Sequence, residues 1–350
     1  GVVIHGDGTG SVITVTASYV TVDGLTIENS GPKHQTVDAG ITVRGADNVK
    51  ILRNRIRDCL FGINFEQTNS SVIEDNDITS LPVSLGLKGD GIRLWYSHGN
   101  LIRMNRTRYV RDNVFWYSSA NKIYENSGAD SRYSLHFMYA DRNEILSNDY
   151  RRNSVGIFLM FSQGSTLKRN FVADSTGPFG IGIGMKESSD ILVEENQILY
   201  NARGFYLDSS PYQPGTFNTF RGNEINFNTT AFLLHGTLLP SLFESNVFKG
   251  NIEDVANDTP ESKLEINTWR SNYWDNYEGF DRNDDGYGDI PHEQWMYADR
   301  IWSYLPAAKF FYASPVLDFM NFLWRLMPFS EPVLLARDAR PQIRERGTEK

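Results

Sequence analysis

Glu74-Asp75-Asn76-Asp77-Ile78 is a short polar turn built on one asparagine and closed by an apolar residue, and the chain repeats it many times. Leu52-Arg53-Asn54-Arg55-Ile56 and Glu195-Asn196-Gln197-Ile198 have the same form. The asparagines in register are Asn54, Asn76, Asn105, Asn126, Asn148, Asn170, Asn196, Asn223 and Asn246. Their shorter intervals run from 21 to 23 residues, and the longer ones of 29, 26 and 27 hold Pro- and Gly-bearing insertions. A repeat of that length is one supersecondary unit stacked on itself, so the chain reads as a solenoid.

Working outward, most coils carry a glycine followed by an alternating apolar run, as in Gly40-Ile41-Thr42-Val43, Gly62-Ile63-Asn64-Phe65 and Gly156-Ile157-Phe158-Leu159. Period-two alternation is strand, with the first and third residues after each glycine facing inward. A second short strand such as Lys50-Ile51-Leu52 follows six or seven residues later. Three short strands in about 22 residues, each pairing in parallel with the next coil, define an all-β fold, a right-handed parallel β-helix. The asparagines are expected to take the left-handed corner and to stack as an internal amide ladder. The expected organisation is a β-helix over 1–279, an acidic loop over 280–292, and a C-terminal extension over 293–350 with an amphipathic helix and a charged tail.

A compact domain of 350 residues would usually divide, but a solenoid escapes that limit because each coil touches only its neighbours. The net charge of −9 argues against nucleic acid as a partner. One cysteine, Cys59, excludes an internal disulfide framework and any CxxC site. No apolar run is long enough to span a membrane. The first residues read as strand and turn, so a targeting segment is expected to be removed or outside this sequence, and the uncapped opening coil suggests preceding structure.

Aligning coils brings out one outward column. The strands Ile92-Arg93-Leu94-Trp95-Tyr96, Asn113-Val114-Phe115-Trp116-Tyr117, Leu135-His136-Phe137-Met138-Tyr139 and Ile157-Phe158-Leu159-Met160-Phe161 place Trp95, Trp116, Met138 and Met160 in one stripe, with His136 and Phe158 beside it. A soluble β-helix has no structural need for such a stripe facing water. Thioethers are soft donors that select Cu(I), and imidazole also suits copper. Adjacent rungs stand about 4.8 Å apart, near the separation of two sulfurs bridged by one soft ion. His136, Met138 and Met160 are therefore the leading Cu(I) candidates, with Met185, His292 and Met296 behind them. The plain alternative is that the stripe packs under a loop or against a partner, with Trp95 and Trp116 as anchors.

Asp281-Arg282-Asn283-Asp284-Asp285-Gly286-Tyr287-Gly288-Asp289 has oxygen donors at positions 1, 3, 5, 7 and 9 of a calcium loop and a glycine at 6, but His292 stands where the bidentate acid belongs. Structural Ca²⁺ held by Asp281, Asn283, Asp285, Tyr287 and Asp289 is the expectation, and a solvated acidic turn the alternative. From Tyr312 to Pro328, Val316, Leu317, Met320, Leu323, Leu326 and Met327 approximate helical spacing. At 17 residues that helix is too short to cross a bilayer and would cap the solenoid, lie on a membrane surface or dock a partner. The charged residues 336–350 are expected to be disordered. No GxSxG, HExxH, P-loop or GxGxxG is present. Asp130, Asp141 and Arg142 keep open an alternative: a polysaccharide lyase or epimerase of β-helix type.

The coil pattern, the strand Leu135-His136-Phe137-Met138-Tyr139-Ala140 followed by Leu159-Met160-Phe161-Ser162, and the closing Ser271-Asn272-Tyr273-Trp274-Asp275 leading into Gly279-Phe280-Asp281 and Asp285-Gly286-Tyr287-Gly288-Asp289-Ile290-Pro291 together resemble the NosD family. The resemblance covers nearly the whole chain, through Ala313-Ser314-Pro315 before the terminal helix, although the family's N-terminal coils and signal peptide are not in this sequence. It implies a periplasmic accessory protein of nitrous oxide reductase maturation and no enzyme activity of its own. The implied partners are an ABC-transporter permease and its ATPase, a copper-chaperone lipoprotein that delivers Cu(I), and nitrous oxide reductase, whose copper-sulfide centre it helps build. The same resemblance makes His136, Met138 and Met160 the copper contacts. The terminal helix (Leu317, Met320, Leu323, Leu326) becomes the contact with the permease and, through it, the membrane.

Overall fold

The computed structural model describes residues 1–177, 179–296, 314–326 and 332–345, apart from the side chains at 317, 318, 321, 324 and 325. Three sheets of 12, 11 and 13 strands run the length of the solenoid among these residues, and each coil gives one strand to each sheet. Among the described residues, strand pairing between coils is parallel throughout, and antiparallel contacts occur at the C-terminal end. The glycine-led runs form the second sheet. There Ile41, Val43, Ile63 and Phe65 are fully buried, so their alternation reports the inner face as expected.

The ladder is continuous. Each side-chain amide from Asn54 to Asn223 donates through Nδ2 to Oδ1 of the next asparagine at 2.9 to 3.0 Å. The same Oδ1 accepts the backbone N–H of the preceding asparagine, at 2.9 Å from Asn54 to Asn76 and from Asn126 to Asn148. Buried polar groups are thus satisfied coil by coil. One expectation is corrected. The left-handed backbone falls on the residue before each asparagine, at Arg53, Asp75, Met104, Glu125, Ser147, Arg169 and Glu195, with φ between 51 and 58°. The asparagine itself has to turn its amide into the interior, so the strained corner is left to a side chain that points to solvent.

The ladder ends on an acid. Asn246 donates to Asn272 at 3.0 Å, and Asn272 donates through Nδ2 to Asp338 Oδ2 at 2.9 Å. Asp338 also accepts the backbone N–H groups of Ser271 and Asn272 at 3.1 and 2.8 Å. The strand Val333–Asp338 that carries it pairs antiparallel with His292–Met296 and meets Trp269 of the last coil. The expected disorder from 336 onward therefore does not hold for 336–345. A carboxylate is needed where the amide stack runs out of acceptors, and a strand is needed where the sheet would otherwise end in an open edge. Residues 346–350 lie outside the described residues.

The terminal helix is α1 (Pro315–Leu326), shorter than the 312–328 stretch, with proline at its first position, where the missing N–H costs nothing. Tyr312, Met327 and Pro328 lie outside the described residues, as does Pro178 in the loop near Gly177. No described helix is long and apolar enough to cross a membrane.

Candidate functional site

Five successive strands of the second sheet build the outward face: β1 (Ile92–Trp95), β2 (Asp112–Trp116), β3 (Tyr133–Met138), β4 (Val155–Met160) and β5 (Ile181–Lys186). The register pairs Trp95 with Trp116, Trp116 with Met138, and Met138 with Met160, so the expected column exists. It continues to Lys186 and Asp208, and on the other side to Glu66, so the soft segment is bounded by charge. Met138 and Met160 are half-buried, and His136 beside them keeps 8% of its surface.

His136 Nε2 lies 3.5 Å from Met160 Sδ, two donors aimed at one another across the β3–β4 rung. Its other nitrogen, Nδ1, is buried without a hydrogen-bond partner. Asp112 Oδ2 faces that nitrogen at 3.7 Å, longer than a hydrogen bond but unobstructed by a competing partner. Arg132 grips both oxygens of Asp112, donating Nε to Oδ1 at 2.8 Å and a terminal nitrogen to Oδ2. Burial pushes the Asp112 carboxyl upward, but Arg132 and then the His136 ring outweigh it and keep its pKa below the ordinary value. Tyr133 completes the frame: it stacks on the His136 ring with centroids 4.8 Å apart, and Arg132 lies over its outer face.

Met160 rests on an apolar bed of Val155, Phe158 and Ile181. Glycine at 184 is required there, since a Cβ would come within 2.3 Å of the Phe158 ring. A thioether pair and an imidazole on a largely dry surface form a donor set suited to a soft monovalent ion.

Asp112, Arg132 and Tyr133 were not legible as site residues. Between β2 and β3 the register slips: Asp112 pairs with Tyr133 but Val114 pairs with His136, which is a bulge. Counting by twos from Trp116 and Met138 would set Asp112 against Ser134, one residue away from its actual partner Tyr133. The signal available was the Arg-Asp at 111–112 and the Arg-Tyr at 132–133, each straddling the start of its strand.

Other expected ligands do not join this site. Met185 pairs with Leu159 and is fully buried in the core, one position short of the Met138–Met160 column. His292 and Met296 sit at the C-terminal end, four residues apart on one strand, about 13 Å along it. His292 stacks on Trp274, and Met296 belongs to the core. Trp95 and Trp116 meet edge to face at 5.6 Å under the Arg93 guanidinium, so both are half-buried rather than free anchors. Next to them Tyr96, Tyr117, Tyr139 and Phe161 stack with centroids 4.8 to 5.2 Å apart, a ladder of rings.

The lyase-type constellation is not assembled. Asp130 is paired with Arg152 at 2.9 Å on the corner before β3, while Asp141 accepts the Gln163 N–H at 2.8 Å on the corner after it. The six residues of β3 keep them about 20 Å apart.

In the acidic loop, Asp281 accepts the N–H groups of Asp285 and Gly286 at 3.2 and 2.8 Å, and Asp289 accepts that of Arg282 at 2.7 Å. Asp285 Oδ1 accepts the Tyr287 N–H at 2.9 Å, and its Oδ2 takes the Arg340 guanidinium at 2.8 Å. Among the described residues no three His, Cys, Asp or Glu side chains converge as a metal cluster. On α1, Val316, Phe319, Phe322, Leu323 and Leu326 are exposed and Met320 is half-buried, while the Leu317 side chain lies outside the description.

Residues 1–89 match the family described as a right handed beta helix region, and this defines the class: a right-handed parallel β-helix protein. Residues 79–279 match the family described as periplasmic copper-binding protein (NosD). The chain belongs to the NosD family, and its compartment is the periplasm. The probable ABC transporter binding protein NosD of Stutzerimonas stutzeri is 28% identical over 360 residues, spanning 94% of this chain and 78% of its own. The protein of the same name from Pseudomonas aeruginosa is 27% identical over 376 residues, spanning 98% and 82%. Among solved structures, the mannuronan C-5 epimerase AlgE6 A-module of Azotobacter vinelandii aligns with a TM-score of 0.57 at 16% identity, covering 76% of this chain and 80% of that one. The surface adhesin PfbA of Streptococcus pneumoniae aligns at 0.53 and 12% identity, covering 71% and 73%. An enzyme and an adhesin on the same coil share the fold alone.

Proposed function

We propose that this chain is the Cu(I)-accepting component of a periplasmic assembly attached to an ABC transporter. It takes copper from a copper-chaperone lipoprotein and serves assembly of the copper-sulfide centre of nitrous oxide reductase, while ATP hydrolysis resides in a partner subunit. His136, Met138 and Met160 hold the ion transiently as cargo. The observation that carries this reading is the 3.5 Å approach of His136 Nε2 to Met160 Sδ on an apolar bed, with Met138 paired to Met160 in register. The half-buried Trp95 and Trp116 and the neighbouring ring ladder form the docking rim for the donor, and the exposed apolar residues of α1 contact the permease. The acidic loop takes Ca²⁺ as a structural ion, with Asn283 and the Tyr287 carbonyl adding neutral oxygens to Asp281, Asp285 and Asp289.

An anaerobic Cu(I) competition titration tests the cargo site. Replacing Met138→Ala and Met160→Ala together is expected to weaken binding by more than about a hundredfold, beyond what loss of an outer-shell partner gives. Equal affinity in wild type and the double variant would remove these residues as ligands.

A further inference from the structure

We propose that Asp112 is the positioning residue of the copper site: it holds His136 in the tautomer that carries its proton on Nδ1, leaving the Nε2 lone pair free beside the Met160 sulfur. The inference rests on the copper reading given above. It adds a residue outside the donor column, and it concerns the metal-free protein as much as the loaded one.

The argument starts from the two faces of one ring. A neutral imidazole has one N–H and one lone pair, and neighbours decide which nitrogen carries which. Toward Nδ1 lies the Asp112 carboxylate at 3.7 Å, 1% exposed, and no other partner. Toward Nε2 lies the Met160 thioether at 3.5 Å, a weak acceptor with no charge. A proton on Nδ1 is attracted by a buried anion, whereas a proton on Nε2 gains one weak contact and leaves an imidazole lone pair pointing at that anion. The first arrangement is favoured, and it is the one a metal ligand requires. Carboxylate, imidazole and metal in line is how a second partner fixes ring orientation and raises ligand basicity.

A purely structural ion pair would look different. One coil earlier, Asp90 and Arg111 make the same kind of contact, with a terminal nitrogen of Arg111 2.9 Å from Asp90 Oδ1, and among the described residues no histidine is paired with Asp90. Asp112 repeats this staple with Arg132 and in addition turns Oδ2 toward the only imidazole on the outer face of β3. Across the bulge Asp112 lies opposite Tyr133, the residue whose ring stacks on His136, so the carboxylate and the stacking ring reach the imidazole from adjacent strands. Tyr133, stacked on the ring and itself covered by Arg132, prevents the imidazole from turning away.

The test reads the tautomer directly in the metal-free chain. With ¹⁵N-labelled histidine and His136 assigned by a His136→Gln variant, two-bond ¹⁵N–¹H correlation identifies the unprotonated nitrogen by its deshielding. In wild type it is expected to be Nε2, the nitrogen strongly coupled to both ring C–H protons. Asp112→Asn, which keeps the shape and removes the charge, should shift the population toward the Nε2–H form and weaken Cu(I) binding by about ten- to a hundredfold. If Asp112→Asn does not fold, the wild-type spectrum still decides. A wild-type ring protonated on Nε2, or an Asp112→Asn protein with unchanged tautomer and affinity, overturns the proposal. If instead His136→Gln and Met160→Ala leave Cu(I) affinity unchanged, the copper reading fails, and the tautomer result separately reports whether Asp112 sets the ring.

Discussion

The His292 ring lies on the Trp274 indole with centroids 4.7 Å apart, and burial lowers its pKa to about 4 from the ordinary 6.5. Between these two values the unfolded chain binds a proton that the folded chain refuses. The contribution of His292 to stability is therefore complete above pH 6.5 and is lost progressively as pH falls toward about 4. Replacing His292→Phe keeps an aromatic ring on Trp274 and removes the titration, so the melting temperature should fall less steeply on acidification over that window. An unchanged slope in a thermal melt series would mean that other groups set the acid limit. The same residue shows how far single positions were legible. A histidine near a methionine looked like a ligand pair, but its neighbours in space are Trp274 and the Gln294 amide, which spacing along the chain does not reveal.

At the scale of elements, every coil depends on the amide stack, because each asparagine serves both the coil before it and the coil after it. Asn148 accepts from the Asn126 N–H and side-chain amide at 2.9 and 3.0 Å and donates to the Ile123 carbonyl and to Asn170 Oδ1, each at 2.9 Å. Asn148→Ala leaves several buried polar groups without partners, so it should cost at least about 3 kcal/mol, read as a loss in denaturant midpoint. A substitution at the exposed Ser147 corner is the comparison; a similarly small effect at both would show the ladder to be ornamental. The ladder and the inner strand faces were legible in sequence because both follow a strict period. The bulge between β2 and β3 was not, since an added residue is invisible until hydrogen bonds decide which pairs form. That single slip hid the pairing of Asp112 with Tyr133.

Over the whole molecule, the two ends of a solenoid carry the burden that its middle does not, since each coil is covered by its neighbours and the last coil is not. The described C-terminal residues answer this with the Val333–Asp338 strand, the Asp338 carboxylate under the ladder, and Arg340 reaching back to Asp285 of the acidic loop. Calcium bound in that loop would tie it to the closing strand. Removing it with a chelator should lower stability by about 2 to 3 kcal/mol if the ion had stood at about a hundred times its dissociation constant. An Asp281→Ala variant should not respond, and a melt unaffected by calcium and chelator alike would leave the loop as an acidic turn held by Arg340. The amino-acid sequence by itself determined the coil length, the three-strand unit, the ladder and the outward Trp-Met column, because all are periodic and a period of fixed length fixes which residues stack. Only the tertiary structure decided that His136 faces Met160 with Asp112 at its back, that Met185 is core, and that the charged C-terminal stretch is the lid of the helix. Each of these depends on a register slip or a contact between segments far apart in the chain, and local sequence carries no record of either.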